Sequence, residues 1–413
     1  MHTAGSRPVL LLAGHWGIPT GFGRVLESLA PLLVERFDVH IFAINEFKED
    51  AANELPVTVH RNRNLADLHD PAALNEVLAD LRPALLVVLD EPWACARLEP
   101  AVRNWPLMKA VYYLAVHGRG ALGPNVLRGL AAADVLVTFT ESAAALLRDA
   151  MAAIDAEQPR ICALPHGVDT GAFRPLHTTG GEPDFAASRR AARQMLFPGR
   201  PGMADAFIVL NANRNQPFKR IDLCMEGFAR FARGKPENVF LYLHMGSRRV
   251  APGEISLVDR LGIRDRVLPG AAPEQHPDLA DDALNAVYNS CDVGINTSMR
   301  EGWGLVSFEH AATGAAQIVS GHAACTELWT GSALMLETEP ESGEPTPEWF
   351  QCEGVVSVAG VAGALESLYA DTALREEMAR KAYGNATRPE YGWAAIAARW
   401  CALLEGELAR PGC

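Results

Sequence analysis

Short apolar runs of strand length alternate with helix-length segments along almost the entire chain, and this alternation most limits the possible folds. Parallel strands need a crossover segment between them, usually a helix, so the alternation predicts parallel, doubly wound α/β sheets. The predicted strands of the first series are 9–13, 39–43, 85–89, 110–115, 135–139 and 160–163. The predicted strands of the second series are 207–210, 239–243, 267–268, 293–295 and 317–319.

Length and charge limit the organisation and the partners. The chain has 413 residues, of which 49% are hydrophobic, so we predict two domains of about 200 residues each. A polar stretch at 176–182 and a basic helical segment around 189–195 separate the two series of strands. The net charge of −13 argues against a sequence-independent nucleic-acid binder, which needs a positive surface. Anionic ligands must therefore be bound by local positive groups.

The segment NTSMREGWGLVSFEHAATG contains the most informative motif. A Gly-Trp-Gly turn stands between a predicted strand and a predicted helix, and Glu301 and Glu309 lie on either side of it. Backbone amides at a helix start favour an anion such as a phosphate, and the two carboxylates can accept hydrogen bonds from ligand hydroxyls. The alternative is that Glu301 only stabilises the helix N-terminus and that Glu309 is a solvated residue.

A second motif, LNANRNQPFKRIDLCMEGF, places Arg214 and Lys219 on another strand-to-helix loop. Arg offers a planar fork of donors and Lys a mobile point charge, a combination that suits a diphosphate. The alternative is a solvated basic loop. We favour the diphosphate interpretation because the chain is so acidic.

With these two motifs in this order, nearly all of the chain resembles the retaining glycosyltransferases of family 4, which have the GT-B fold. The resemblance implies two Rossmann-like domains that face each other across a cleft. It implies that Arg214 and Lys219 hold the diphosphate of a nucleotide-sugar donor, that Glu301 faces the donor sugar and that Glu309 binds the ribose. Contacts to the donor are also implied near Trp303, Gly304 and Leu305, and contacts to the base near Gly246 and Gly270.

The loop GHWGIPTGFGRVLESL follows the first predicted strand. It departs from the dinucleotide pattern G-x-G-x-x-G because Leu26 stands where the third glycine would be, so a nicotinamide cofactor is not expected. The resemblance implies that Gly21 and Gly23 contact the donor or the acceptor. The alternative is that these glycines only satisfy the geometry of the turn.

His117 ends an apolar strand in YYLAVHGRG. A histidine at a strand end is often structural, but the resemblance implies that His117 contacts the donor sugar in a catalytic role. Asp90 and Glu91 are alternatives for contacting the acceptor. Asp90 could instead cap a helix, since Pro92 suits a first helical position.

The resemblance also implies the domain limits. The segment PHGVD matches an interdomain motif, and we predict an N-terminal, acceptor-side domain over 1–170 and a nucleotide-sugar-binding domain over 171–389. The last helix, from about Trp393 to Leu408, is predicted to return to the N-terminal domain together with the rest of 390–413.

No metal or resident cofactor is expected. The chain contains no Asp-x-Asp, and its eight cysteines form no C-x-x-C pair, so buried free thiols are the expected state. The apolar runs are shorter than the roughly 20 residues of a membrane-spanning helix. The first residues lack the pattern of a signal peptide, so a cytoplasmic location is expected, with peripheral membrane contact left open.

The predicted function is metal-independent transfer of a hexose from a nucleotide-diphosphate sugar, with retention of configuration. A UDP-sugar is favoured as donor and GDP-mannose is second, while the hydroxyl-bearing acceptor and the oligomeric state stay open. The alternatives are a GT-B-fold UDP-sugar epimerase and a non-catalytic nucleotide-sugar-binding protein. Val306 and Gln317 stand where many family members have proline, which bears on the choice of sugar.

Overall fold

The computed structural model describes residues 7–46, 56–117, 122–245, 257–269, 279–339 and 354–410. These residues form two compact units. The first unit contains the described residues up to Gly167 and those from Glu390 onward, and the second contains the described residues between them. Both units are α/β, as predicted.

The first unit is built on a seven-stranded parallel sheet with the order β3-β2-β1-β4-β5-β6-β7. All strands run in the same direction, but their order in the sheet reverses between β1 and β4. This reversal makes a topological switch point at the carboxyl ends of these two strands. The strands are β1 Val9–Gly14, β2 Asp38–Ala43, β3 Thr58–Arg61, β4 Leu85–Asp90, β5 Lys109–Leu114, β6 Val135–Thr138 and β7 Arg160–Ala163.

Within the described residues of this unit, seven helices pack around the sheet or against one another. Several begin at a short polar side chain that accepts a hydrogen bond from the first turn, such as Thr20, Asp70 and Thr140. They are α1 Gly21–Leu33, α2 Pro71–Leu81, α3 Pro92–Arg97, α4 Glu99–Arg103, α5 Pro124–Leu130, α6 Glu141–Ala152 and, at the end of the chain, α14 Trp393–Leu408.

The last helix, α14, packs within the first unit. Trp400 is fully buried, and its ring meets that of Tyr113 edge to face at 4.8 Å. Gly167 lies against Trp393 so closely that a Cβ atom at position 167 would be 2.3 Å from the indole ring. Arg36, in the turn that follows α1, donates to Glu405 at 2.8 Å. These contacts attach the end of the chain to the sheet of β1 to β7.

The second unit is built on a six-stranded parallel sheet with the order β12-β11-β10-β13-β14-β15. Its switch point lies between β10 and β13. The strands of this sheet are β10 Phe207–Asn211, β11 Val239–Leu243, β12 Val267–Pro269, β13 Val293–Asn296, β14 Ala316–Ser320 and β15 Leu334–Leu336. Two short antiparallel pairs are β8 Thr178–Thr179 with β9 Glu182–Pro183, and β16 Thr338–Glu339 with β17 Val355–Val356.

The second unit contains the helices α7 Phe185–Leu196, α8 Ile221–Ala232, α9 Asp281–Ser290, α10 Leu305–Ala311, α11 Ala323–Trp329, α12 Val358–Ala370 and α13 Thr372–Ala386. The basic helix α7 is held by a buried carboxylate, because Arg189 and Arg193 both pair with Asp292, at 3.2 and 2.6 Å. In the described part of the chain, no helix is both long enough and apolar enough to cross a membrane.

Candidate functional site

The loops that follow β10 and β13 meet at the switch point of the second unit. The loop after β10 contains Arg214, whose side chain is exposed, and ends in a short 3-10 turn, Pro217–Lys219. Arg220 then adopts a left-handed conformation with φ of +47° before α8 begins. The predicted diphosphate-binding residues therefore lie where open α/β sheets bind their ligands.

Lys219 and Glu301 form an ion pair between these two loops. The Lys219 Nζ atom lies 2.6 Å from Glu301 Oε2, and their side chains are 12% and 11% exposed. The side-chain amide of Asn296, the last residue of β13, donates to the same carboxylate oxygen at 3.2 Å. The two sequence motifs thus come together in one cluster, with Glu301 bound by an ammonium group and an amide.

Hydrogen bonds to the backbone fix the two loops relative to each other. The Thr297 hydroxyl donates to the carbonyl oxygens of Lys219 and Arg220 at 3.1 and 2.9 Å. The backbone amide of Met299 donates to the carbonyl of Phe218 at 2.8 Å. The separation of Lys219 and Glu301 is therefore set by backbone contacts as well as by their own ion pair.

The Gly-Trp-Gly turn leads into α10 as predicted. Gly304 caps the helix with φ of +86°, a conformation that residues with a Cβ atom rarely adopt. The Trp303 ring is buried and stacks on Phe308, with a centroid distance of 4.8 Å and an interplanar angle of 14°. The predicted donor contacts at Trp303, Gly304 and Leu305 remain predictions.

Glu309 is only 5% exposed, so the alternative that it is a solvated residue is wrong. The phenol of Tyr288, on α9, donates to Glu309 Oε2 at 3.3 Å. A carboxylate that is buried at this depth needs hydrogen-bond donors. Sequence reasoning did not single out Tyr288 or Asn296. Tyr288 lies outside both motif segments, and Asn296 is the first residue of the segment NTSMREGWGLVSFEHAATG but was not expected to contact Glu301.

Two buried histidines flank the cluster. Burial lowers the pKa of His322, whose Nε2 atom is 3.2 Å from the Ser298 carbonyl oxygen, while the charge of Glu301 raises it in part. Burial also lowers the pKa of His310 to about 3. The Nδ1 atom of His310 is 3.2 Å from the side-chain amide of Gln317, so the residue that replaces the expected proline has a defined polar partner.

In the first unit, contacts within the loop between β1 and α1 account for its glycines. The Gly23 amide donates to the Thr20 hydroxyl at 3.0 Å, which caps α1. A Cβ atom on Gly23 would lie 2.5 Å from the Ile18 carbonyl oxygen, so no larger residue fits there. Gly21 is the first residue of α1. A ligand contact at Gly21 or Gly23 remains a prediction.

His117 follows β5, and its Nε2 atom lies 4.0 Å from Glu91 Oε1. Asp90 does not cap α3, because the N-cap residue is Glu91. Instead, Asp90 ends β4, accepts a hydrogen bond from the Glu91 amide at 2.7 Å and lies 2.9 Å from His69 Nε2. Pro92 is the first residue of α3, as predicted.

Gly246 and Gly270, which were predicted to lie near the base, are outside the described residues. Within the described ranges, no group of three or more His, Cys, Asp or Glu side chains is arranged to hold a metal ion. The described cysteines are free thiols: Cys95, Cys162, Cys224, Cys291, Cys325 and Cys401. The absence of a metal or cofactor requirement remains a prediction.

No model of a known protein family matches the chain. Several curated protein sequences are similar to it. The chain is 31% identical over 266 residues to a D-inositol 3-phosphate glycosyltransferase of Acidothermus cellulolyticus, a match that covers 63% of the chain and 50% of that protein. A protein of the same name from Xylanimonas cellulosilytica is 30% identical over 230 residues, covering 52% of the chain and 50% of that protein. The chain spans about half the length of these relatives.

Solved structures resemble almost the full chain. Anabaena Alr3699/HepE in complex with UDP and glucose has a TM-score of 0.71 at 16% identity, covering 97% of the chain and 100% of that protein. Sucrose-phosphate synthase from Thermosynechococcus elongatus has a TM-score of 0.71 at 18% identity, covering 98% of the chain and 100% of that protein. These structures show that the chain has the GT-B fold, and together with the curated relatives they confirm its resemblance to the glycosyltransferases of family 4.

Proposed function

We propose that the chain is a retaining glycosyltransferase that moves a hexose from a nucleotide-diphosphate sugar to a hydroxyl-bearing acceptor. The observation that carries this proposal is the ion pair of Lys219 and Glu301 at the switch point of the six-stranded sheet. Two further findings support it: the curated relatives are named as glycosyltransferases, and one structural neighbour has been solved with UDP-glucose. A UDP-sugar is the favoured donor, and GDP-mannose is second.

In the proposed reaction, Arg214 and Lys219 bind the donor diphosphate. Negative charge grows on this group as the bond to the sugar breaks, and these two cations stabilise that charge more than they stabilise the intact donor. Glu301 already holds the Lys219 ammonium at 2.6 Å, so it can orient this cation and accept hydrogen bonds from sugar hydroxyls. Glu309 accepts hydrogen bonds from the ribose hydroxyls.

We also propose that protein cations replace a metal and that the acceptor attacks from the side of the leaving group. The acceptor hydroxyl then bonds to the anomeric carbon as the bond to the diphosphate breaks, and its proton passes to the departing phosphate oxygen. His166 is not suited to act as a base here, because burial lowers its pKa to about 3. Charge stabilisation by Arg214 and Lys219 therefore supplies the main catalytic effect.

The experiment uses UDP-glucose, UDP-N-acetylglucosamine, ADP-glucose and GDP-mannose. Thermal shift ranks the donors, because a ligand at 100 times its dissociation constant adds about 2.7 kcal/mol of stability. The stabilising donor is then incubated with the protein and with a mixture of free hexoses and myo-inositol as hydroxyl-bearing acceptors, and release of nucleoside diphosphate is measured. The proposal is supported if the wild-type chain releases nucleoside diphosphate and Glu301→Gln releases it much more slowly. Stabilisation without release would indicate a nucleotide-sugar-binding protein, and conversion of a UDP-sugar to its C2 epimer would indicate an epimerase.

A further inference from the structure

A second cluster lies in the first unit, beyond the carboxyl ends of β4 and β5. It consists of His69, Asp90, Glu91, Trp93 and His117, and we call it the Trp93 cluster. The carboxyl ends of parallel strands are where α/β units bind their ligands. The cluster combines an exposed aromatic ring with carboxylates and imidazoles, a composition suited to a polar ligand that also has an apolar face.

Trp93 is 45% exposed and yet anchored on two sides. Its indole Nε1 atom donates to Glu91 Oε2 at 2.7 Å. The His69 ring meets the indole edge to face, with a centroid distance of 5.1 Å and an interplanar angle of 70°. Isolated exposed apolar residues need no explanation, but an exposed indole that is fixed in orientation offers a defined flat surface.

Buried hydrogen bonds hold His69 and Glu91, two residues that contact the Trp93 ring. His69 Nε2 lies 2.9 Å from Asp90 Oδ2, and the two side chains are 12% and 6% exposed. The other oxygen of Asp90 accepts from the Glu91 amide at 2.7 Å. The ring and the Glu91 carboxylate are therefore positioned before any ligand arrives, which lowers the entropic cost of binding.

The chemistry of the cluster selects a class of ligand. The face of an indole is electron-rich and attracts the slightly positive C–H groups that line one side of a sugar or cyclitol ring. The Glu91 carboxylate, which is 35% exposed and lies 4.0 Å from His117, can accept strong hydrogen bonds from hydroxyl groups on the ring edge. A phosphate close to Glu91 and Asp90 would be repelled by like charge.

We propose that the Trp93 cluster binds an uncharged, hydroxyl-rich ring, a pyranose or a cyclitol, stacked on Trp93 and hydrogen-bonded through Glu91. Such a ring would serve as the acceptor, an assignment that rests on the proposed function, although binding itself does not require transfer. The curated relatives are named for D-inositol 3-phosphate. The Trp93 cluster instead indicates an acceptor ring without a phosphate.

Saturation-transfer NMR on the full chain tests the proposal without any donor. The probes are two matched pairs, glucose with glucose 6-phosphate and myo-inositol with inositol 3-phosphate, together with mannose, galactose and N-acetylglucosamine. We expect at least one uncharged ring to receive saturation mainly on one face and to bind more tightly than its phosphorylated partner. Trp93→Ala should weaken this binding about tenfold, as expected for the loss of an aromatic anchor.

Glu91→Gln keeps the Trp93 ring and the shape of the site but removes the charge of the carboxylate. It should therefore weaken binding of the uncharged ligand and improve binding of its phosphorylated partner. Leu107→Ala is the matched control, because Leu107 lies in the same unit and is 92% exposed. Any one of three results would overturn the proposal. They are that no uncharged probe binds, that the wild type and Trp93→Ala bind an uncharged probe equally, or that a phosphorylated probe binds more tightly than its uncharged partner. If no donor yields nucleoside diphosphate, the proposed function fails, while the binding result still decides the Trp93 cluster.

Discussion

The Lys219 ammonium lies 2.6 Å from the Glu301 carboxylate across 82 residues of sequence, and nearly nine-tenths of each side chain is buried. Asn296 adds a hydrogen bond to the same oxygen at 3.2 Å. This arrangement joins the loop after β10 to the loop after β13. Removing one partner leaves the other charge buried without its counterion, which is costly.

The ion pair predicts a stability effect that is independent of catalysis. Lys219→Met should lower the free energy of unfolding by about 2 kcal/mol, because the buried Glu301 carboxylate loses the ammonium group that lies 2.6 Å away. The double variant Lys219→Met with Glu301→Gln should recover most of the loss. Urea denaturation of the two single variants and the double variant measures the coupling. Additive losses would show that the two side chains do not interact in solution.

Glu309 is predicted to bind the nucleotide itself. Glu309→Ala should weaken binding of nucleoside diphosphate, because each charge-assisted hydrogen bond contributes roughly 1.5–3 kcal/mol. Tyr288→Phe keeps the carboxylate but removes one hydrogen bond to it, so it should have a smaller effect of the same sign. Isothermal titration calorimetry of the three proteins measures both. Unchanged affinity in Glu309→Ala would place this carboxylate outside the site.

Activity should survive chelation, because Arg214 and Lys219 are proposed to neutralise the diphosphate without a metal. The measurement is the rate of nucleoside diphosphate release before and after treatment with EDTA. Equal rates are expected. Complete loss in EDTA with recovery on adding magnesium or manganese would contradict metal independence.

The buried histidines predict acid sensitivity. Burial lowers the pKa of His166 to about 3 from its ordinary value of 6.5, so between these values the unfolded chain binds a proton that the folded chain does not. The free energy of unfolding therefore includes a contribution from neutral His166 that is fully present above pH 6.5 and is lost as the pH falls toward 3. From pH 6.5 to pH 5 the loss is about 2 kcal/mol for His166.

His166→Phe provides the check on this prediction. His166 contacts Phe139 and Tyr113, with centroid distances of 4.0 and 5.3 Å, so an aromatic replacement suits the site. The free energy of unfolding at pH 7.5 and pH 5 should differ less in the variant than in the wild type. An identical difference in both proteins would mean that His166 already carries a proton in the folded state.

Much of the fold was predictable because buried parallel strands are nearly continuous apolar runs. β7, β11 and α14 have the predicted bounds. The strand β3, Thr58–Arg61, could not be predicted, because this four-residue edge strand is only partly buried and so lacks an apolar run. The polar stretch at 176–182 contributes to a hairpin whose turn residues, Gly180 and Gly181, both have positive φ.

The site was predictable only where the residues form motifs. The spacing of Glu301 and Glu309 and the order of Arg214 and Lys219 identified these four side chains, and the structure brings Lys219 and Glu301 into contact. The partners Tyr288 and Asn296 were not identified. They reach the carboxylates only through the packing of α9 and the end of β13, which local sequence patterns do not encode.

We propose that Arg214 and Lys219 stabilise one charge that grows as the donor bond breaks. The test is the rate of nucleoside diphosphate release at saturating donor for the wild type, Arg214→Ala, Lys219→Ala and the double variant, together with the donor affinity of each. We predict that each single variant loses more in turnover than in donor affinity, and that the double variant loses less than the sum of the single losses. Near-normal turnover in either single variant would show that the residue does not stabilise the developing charge, and the proposed role of this loop in catalysis would fail.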